Sequence, residues 1–225
     1  MLLYLPWRRG KMVRAISKNL NIVEYISKKI SSILCQEVEL EEINYLKLKL
    51  GIEVFLINVT KGMIVYGVAI VFGLFIPTLL LHSSYFAVRK VSFGLHAKSS
   101  FHCTFISLLF FVAIPYLSKD IIFSDIFIKS IFTIYLLCFY LYAPADTENY
   151  PILGEGNRRK LRNKSILTCL VLMIIVITSS NSMLKTLITL GVALQIIQIL
   201  PLTYKILKRG YKNYEKYETK CTKRN

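Results

Sequence analysis

Long apolar stretches, separated by short polar segments, dominate the chain between residues 52 and 202. They comprise residues 52–81, 101–118, 121–143, 166–179 and 183–202. An α-helix rises about 1.5 Å per residue and a bilayer core is about 30 Å thick, so roughly 20 apolar residues cross it. The pattern therefore predicts an all-α, polytopic membrane helix bundle.

The first apolar stretch, 52–81, is longer than one straight crossing needs, and the polar residues "NVTKG" interrupt it at 58–62. We expect the chain to bend there, so that this stretch enters and leaves the membrane. Hairpins over 101–143 and 166–202 bring the total to about six spans or re-entrant segments. One long tilted helix over 52–81 is the alternative, and it would place His96 on the outer side.

Residues 12–34 show a different, amphipathic pattern that predicts a helix lying in the membrane interface. Its apolar positions recur every three or four residues, as on one helical face. They are Val13, Ile16, Leu20, Val23, Ile26, Ile30 and Ile33. We divide the chain into an interfacial N-terminal region (1–45), an integral membrane domain (46–204) and a basic tail (205–225).

The charge distribution predicts which segments lie in the cytoplasm. The chain is 54% hydrophobic and carries a formal net charge of +16, with 29 Lys and Arg against 13 Asp and Glu. Basic residues cluster beside the apolar stretches, in 83–100, 144–165 and 203–225, as the positive-inside rule expects of cytoplasmic segments near anionic headgroups. Both termini are thus predicted to be cytoplasmic. Because the basic residues form no continuous stripe, we expect no nucleic-acid partner.

A cysteine and a histidine stand together in "RKVSFGLHAKSSFHC", residues 89–103. Ser99 or Ser100 is a natural N-cap, so Cys103 falls in the first turn of the following helix, where the helix dipole favours a thiolate. Gly94 allows the preceding segment to fold back and bring His96 to the sulfur. A cysteine beside a histidine is a nucleophile with its base.

Packing is the alternative explanation for each of these side chains. A cysteine in an apolar helix is usually a small core residue, which is our interpretation of Cys138 and Cys169. Five cysteines without framework spacing predict no disulfides. No Cys or His pair has metal-ligand spacing, so neither a metal nor another cofactor is expected.

Three segments resemble the accessory gene regulator B (AgrB) family of Gram-positive quorum-sensing systems. The first carries Arg89, Gly94, His96, Ala97 and Cys103 in the family's order and spacing. The second, "YAPADTENYPI" at 142–152, resembles the family's "YAPA-x-T" loop. The third, "GIEVFLINVTKGMIVYGVAIVFG", resembles its opening span. Phe93 departs from the family, in which many members have a second glycine.

The resemblance implies a cysteine endopeptidase in the plasma membrane of a Gram-positive bacterium. Its substrate would be an AgrD-type propeptide on the same membrane, and a homodimer is an arrangement that the resemblance allows. Cys103 would attack a propeptide carbonyl with His96 as base, release the acidic tail and form an acyl-thioester. A cysteine of the bound peptide would then close a thiolactone ring.

Arg89 and Asp146 each have more than one possible role beside the Cys103–His96 pair. Arg89 would bind the substrate's acidic tail or a carboxylate of the "ADTE" loop, or only anchor the chain at the headgroups. Gly94 would supply a turn, while Asp146 would orient His96, pair with Arg89, or lie in a solvated loop. Two other functions also fit the pattern, a non-enzymatic transporter or scaffold and a membrane thiol acyltransferase.

Overall fold

The computed structural model describes residues 29–30, 42–95, 100–148 and 151–222. None of these residues forms a named β-strand, and the prediction of an all-α helix bundle is confirmed. A π-helical segment, Leu109–Ala113, joins the third and fourth helices. The helices are α1 (Glu42–Val71), α2 (Phe75–Ser92), α3 (Ser100–Leu108), α4 (Ile114–Leu117), α5 (Asp125–Tyr142), α6 (Glu155–Thr178), α7 (Ser182–Ile199), α8 (Pro201–Ile206) and α9 (Tyr214–Thr222).

The chain divides into two compact units, one up to Ile64 and one from Val65 onward. In the first unit, residues 29–30 are helical and α1 runs without a break through "NVTKG". The predicted bend at 58–62 is therefore wrong. The polar residues of "NVTKG" do not interrupt α1. The Thr60 hydroxyl, for instance, donates to the Leu56 carbonyl of the same helix at 2.8 Å.

The break between α1 and α2 lies instead at Gly73. This glycine has a φ of 65°, the left-handed conformation that commonly ends a helix. Its amide donates to the Ile70 carbonyl at 2.9 Å, and the Leu74 amide donates to the Ala69 carbonyl at 2.7 Å. These two bonds form a Schellman motif, which satisfies the last carbonyls of α1 and lets α2 begin at Phe75.

In the second unit, α2 packs against α6 and α7. Gly191 of α7 brings the two backbones together, since a Cβ there would lie 2.7 Å from the Leu81 carbonyl oxygen of α2. One buried cluster joins Val88 of α2 to residues of α5, α6 and α7, including Phe132, Cys169 and Val192. A second cluster joins α2 to the π-helical segment.

The π-helical segment has an identifiable cause. Pro115 lacks an amide hydrogen, so it cannot donate to the Phe111 carbonyl four residues earlier. The Thr78 hydroxyl of α2 supplies the missing bond to that carbonyl at 2.7 Å, and Thr78 is fully buried. A side chain from the neighbouring helix thus stabilises the irregular backbone.

The outer faces of the bundle carry large apolar side chains. On α5 and α6, Ile134, Leu137, Leu167 and Ile174 are each more than half exposed. By length and composition, α5, α6 and α7 can each cross a membrane, and Phe55–Val71 and Cys103–Leu117 form shorter apolar helices. Lipid is the phase that covers such faces. The chain is a membrane protein.

The polar residues between α6 and α7 separate them as the sequence predicts. Helix α6 ends at Thr178, and Asn181 caps α7 by accepting from the Leu184 amide at 3.1 Å. The Ser124 side chain caps α5 in the same way. Helix α6 begins at Glu155, so it contains the basic cluster 158–164. The predicted division into 1–45, 46–204 and 205–225 stays a prediction.

Candidate active site

Arg89, in the last turn of α2, holds the turn that follows this helix. Its Nη1 donates to the Phe93 carbonyl at 3.0 Å, and its Nη2 donates to the carbonyls of Gly94 at 3.2 Å and Leu95 at 2.6 Å. A planar guanidinium presents several donors in a fixed fork, so one side chain binds three successive carbonyls. We call this arrangement the Arg89 clamp.

Two glutamines of α7 complete the Arg89 clamp. Gln198 accepts from Arg89 Nη1 through Oε1 at 2.7 Å, and its backbone carbonyl accepts from the Leu95 amide at 3.4 Å. Gln195 is fully buried and donates to the Phe93 carbonyl at 2.5 Å and to the Ser92 hydroxyl at 2.7 Å. Sequence reasoning missed both residues. Two amides three residues apart in the apolar run "ALQIIQIL" were the available signal.

The turn itself requires a glycine at position 94. Gly94 has a φ of 118°, and a Cβ there would lie 2.8 Å from Arg89 Nη1 and 3.0 Å from the Gln198 carbonyl oxygen. The preceding residue, Phe93, has a φ of 56° although it is not glycine. The left-handed backbone at Phe93 is held by the same hydrogen bonds that surround Gly94.

The "YAPAD" loop, residues 142–146, lies against this turn. The Ala145 amide donates to the Ser92 carbonyl at 3.0 Å, and Ala145 and Phe93 form an isolated parallel bridge. Arg162 of α6 binds the other side of the loop through a 3.1 Å hydrogen bond from Nε to the Ala143 carbonyl. The two segments that resemble the AgrB family, far apart in sequence, therefore meet in the fold.

Asp146 is buried and does not lie in a solvated loop. Its carboxylate accepts from the amides of Asn213 at 3.1 Å and Tyr214 at 2.8 Å, so it binds the N-terminus of α9. Its backbone carbonyl accepts from the Tyr204 hydroxyl at 2.8 Å, and burial raises the pKa of Tyr204, which keeps that donor protonated. Asp146 thus ties the "YAPAD" loop to the tail.

Cys103 lies in the first turn of α3 and is half-buried. Its carbonyl accepts from the Ser107 hydroxyl at 2.8 Å, within the same helix. His96 and Ser99, the predicted base and one predicted cap, lie outside the described residues. Leu95, the residue directly before His96, is bound by the Arg89 clamp through both its carbonyl and its amide. Chemically, a half-buried thiol at a helix N-terminus can act as a nucleophile.

The other cysteines that the structure describes in full differ from Cys103 in position. Cys169 is fully buried in the main core cluster, and Cys138 packs against that cluster from α5. These positions agree with our interpretation of both residues as packing side chains.

Comparison with known proteins decides the family. A profile described as accessory gene regulator B matches residues 19–199, most of the chain. The chain belongs to the AgrB family. The matched range includes the Arg89 clamp, Cys103 and the "YAPAD" loop, and it ends at the last residue of α7. Membership implies a part in the accessory gene regulator system.

Individual relatives agree with the AgrB profile. An AgrB-like protein of Listeria innocua serovar 6a is 47% identical over 178 residues, which cover 79% of this chain and 87% of the relative. An AgrB-like protein of Clostridium acetobutylicum is 39% identical over 198 residues, 88% of this chain and 95% of the relative. Accessory gene regulator protein B of Staphylococcus epidermidis is 35% identical over 185 residues, 81% of this chain and 94% of the relative. No solved structure matches the chain.

Proposed function

We propose that this AgrB-family chain is a membrane cysteine endopeptidase of quorum sensing, which cleaves an AgrD-type propeptide and assists its cyclisation. The observation that carries the proposal is the fixed geometry on both sides of His96. The Arg89 clamp holds Leu95, and α3 begins at Ser100 with Cys103 in its first turn. Only four residues separate Leu95 from Ser100 in the sequence, so the chain length between His96 and Cys103 is short enough for an imidazole to reach the sulfur.

In the first chemical step, His96 accepts the proton of the Cys103 thiol and Sγ attacks the carbonyl carbon of the scissile peptide bond. The C–N bond then breaks. The imidazolium returns its proton to the departing amine, so the leaving fragment is neutral at its new terminus. The N-terminal part of the propeptide remains attached to Cys103 as a thioester.

In the second step, a cysteine thiol of the bound peptide attacks the same carbonyl carbon. His96 accepts the proton of that peptide thiol and passes it to Cys103 as the bond to Sγ breaks, and a thiolactone ring leaves. One thioester replaces another, so the exchange is nearly balanced in energy. A peptide thiol held beside the acyl group at a high effective concentration outcompetes water. A site at the lipid boundary, where little water is present, favours this outcome.

The topology of the proposal follows from charge. We place both termini and the basic segments 83–100, 144–165 and 203–225 in the cytoplasm of a plasma membrane, where anionic headgroups attract them. Cys103 then lies at the inner leaflet, on the same side as a newly synthesised propeptide.

Co-expression with a tagged AgrD-type propeptide tests the proposal. We expect Cys103→Ala and His96→Ala each to abolish cleavage, measured by the masses of the propeptide fragments. Cys138→Ala is the matched control, since this half-buried cysteine lies on another helix, and it should cleave normally. Intact cleavage in both site variants would refute the peptidase and favour a transporter or scaffold. Lipid attached to Cys103 in the absence of any peptide would favour an acyltransferase instead.

A further inference from the structure

A small polar cavity of about 140 Å³ lies between the "YAPAD" loop, the first turns of α6 and the tail. Ala143 to Asp146 line it from the loop, Arg158 and Arg162 from α6, and Tyr211, Lys212 and Tyr214 from the tail. We call it the Arg162 cavity. Three cations and one carboxylate therefore share its walls, and this excess of positive charge attracts an anion.

Most charged groups around the Arg162 cavity already have a partner of opposite charge or a hydrogen-bond donor. Arg158 donates to both carboxylate oxygens of Glu218, at 2.6 and 3.3 Å. Asp146 accepts from two amides of the tail. Lys212 lies 3.7 Å from Glu215, at the edge of ion-pair distance, and its side chain is half exposed.

Arg162 differs from these groups. Its Nε donates to the Ala143 carbonyl, but no described residue accepts from its Nη1 or Nη2. With both Nη atoms available as donors, the guanidinium can bind the two oxygens of one carboxylate in bidentate fashion. The side chain is half-buried, so such a bond would be less screened than one on an open surface.

The contacts beside the Arg162 cavity indicate which kind of anion binds there. Glu218 binds the Gly154 amide at 3.0 Å beside Arg158, and Glu148 binds the Gly210 amide at 2.8 Å. Side-chain carboxylates thus satisfy the neighbouring donors one after another. A cavity of this size has room for one more acidic side chain.

We propose that the Arg162 cavity binds a carboxylate of an acidic peptide segment, with Arg162 as its principal ligand and Lys212 as a second cation. The inference rests on the proposed function only for identifying that segment as part of the substrate. Ala145 connects the two sites, because it lines the cavity and also pairs with Phe93 in the turn before His96. A peptide anchored here therefore binds a loop that is hydrogen-bonded to the reacting segment.

Binding can be measured apart from cleavage by placing Cys103→Ala protein in phosphatidylcholine nanodiscs. The probe is fluorescein-labelled tetraglutamate, with labelled tetraglutamine as the uncharged reference, and anisotropy reports its dissociation constant. We expect Arg162→Gln to weaken tetraglutamate binding about tenfold or more, the effect of losing a charge-assisted hydrogen bond. Lys212→Gln should weaken it about two- to fivefold, and tetraglutamine should bind poorly throughout.

Arg159→Gln is the matched control. Arg159 lies on the same helix, three residues from Arg162, but its side chain is 71% exposed and pairs with Glu155. It should change binding less than twofold. Equal effects of Arg159→Gln and Arg162→Gln would overturn the proposal, because they would show general attraction to a basic surface.

Three further results separate the remaining possibilities. Arg162→Gln also removes the hydrogen bond to the Ala143 carbonyl. Lys212 is half exposed and makes no such bond, so Lys212→Gln tests the cavity without that loss. Unchanged tetraglutamate binding in Lys212→Gln would overturn the role of Lys212. If phosphatidylglycerol in the nanodisc displaces tetraglutamate from the Cys103→Ala protein but not from its Arg162→Gln derivative, the ligand is a lipid phosphate and the peptide assignment fails. If tetraglutamate binding depends on Arg162 while Cys103→Ala still cleaves the propeptide normally, the peptidase proposal is refuted but the proposed anion site in the cavity stands.

Discussion

Replacing Gly94 by alanine tests how strongly the Arg89 clamp depends on this turn. The φ of 118° alone disfavours any L side chain, at a cost of about 1–3 kcal/mol. The new methyl group would also lie 2.8 Å from Arg89 Nη1 and 3.0 Å from the Gln198 carbonyl oxygen. Displacing the guanidinium weakens at least one charge-assisted hydrogen bond, a further ~1.5–3 kcal/mol. Together the two effects cost about 2.5–6 kcal/mol.

Gly154→Ala isolates the part of this cost that comes from the backbone. Gly154 also has a positive φ, 83°, but a Cβ there would meet nothing within 4 Å. It should therefore lose only the ~1–3 kcal/mol of backbone strain. The expected difference of about 2 kcal/mol between the two variants is assigned to contact with the Arg89 clamp.

Thermal unfolding in detergent measures the difference in stability. A thiol-reactive coumarin reports unfolding when Cys169, fully buried in the native chain, becomes accessible. We expect Gly94→Ala to unfold at a clearly lower temperature than Gly154→Ala and to cleave propeptide at least tenfold more slowly than the parent chain. Gly154→Ala should stay within about threefold in cleavage. If the two variants are indistinguishable in both assays, the reasoning about the clamp is refuted.

Three other predictions test separate parts of the structure. Arg89→Lys keeps the charge but cannot reproduce the fork of hydrogen bonds, so cleavage should fall at least tenfold, and full activity would contradict the clamp. Thr78→Val leaves the buried Phe111 carbonyl without its donor and should cost about 1–3 kcal/mol in the unfolding assay, whereas Thr78→Ser should be nearly neutral. The hydrogen bond from Arg158 lowers the pKa of Glu218 below its ordinary value of 4.5. The ion pair that holds α9 against α6 therefore contributes its full stability above about pH 4.5. This contribution is lost as the pH falls through the lowered pKa. Hydrogen exchange of residues 214–222, corrected for intrinsic rates, should show this dependence, and its persistence in Glu218→Gln would contradict the assignment.

The bundle was predictable where its signals are local. The apolar stretches predicted the helices. The polar residues "SNS" at 180–182 predicted the break between α6 and α7, where Asn181 caps α7. The bend at "NVTKG" was wrong, because a threonine can satisfy its hydroxyl inside its own helix. Gly73 was the better signal for the break, since a glycine that follows an apolar run commonly ends a helix.

The candidate site was predictable only in its local part. Arg89, Gly94 and Cys103 lie within fifteen residues of one another, so their spacing carries information. Gln198 lies 109 residues from Arg89 and reaches it only because α7 packs against α2. Asp146 is the clearest case, since its carboxylate binds the start of α9, and that contact depends on how the tail folds back. The glutamines stand out as polar residues in an apolar run, but nothing in the sequence around either partner of such a contact identifies the other partner.

The mass of the intact chain during reaction with an AgrD-type propeptide tests the proposed chemistry most directly. We expect the protein to gain the mass of the N-terminal propeptide fragment, bound to Cys103 as a thioester that hydroxylamine removes. The adduct should be absent from Cys103→Ala and His96→Ala, and present in Cys138→Ala. Propeptide cleavage that proceeds in Cys103→Ala, without any adduct on the parent chain, would contradict the account.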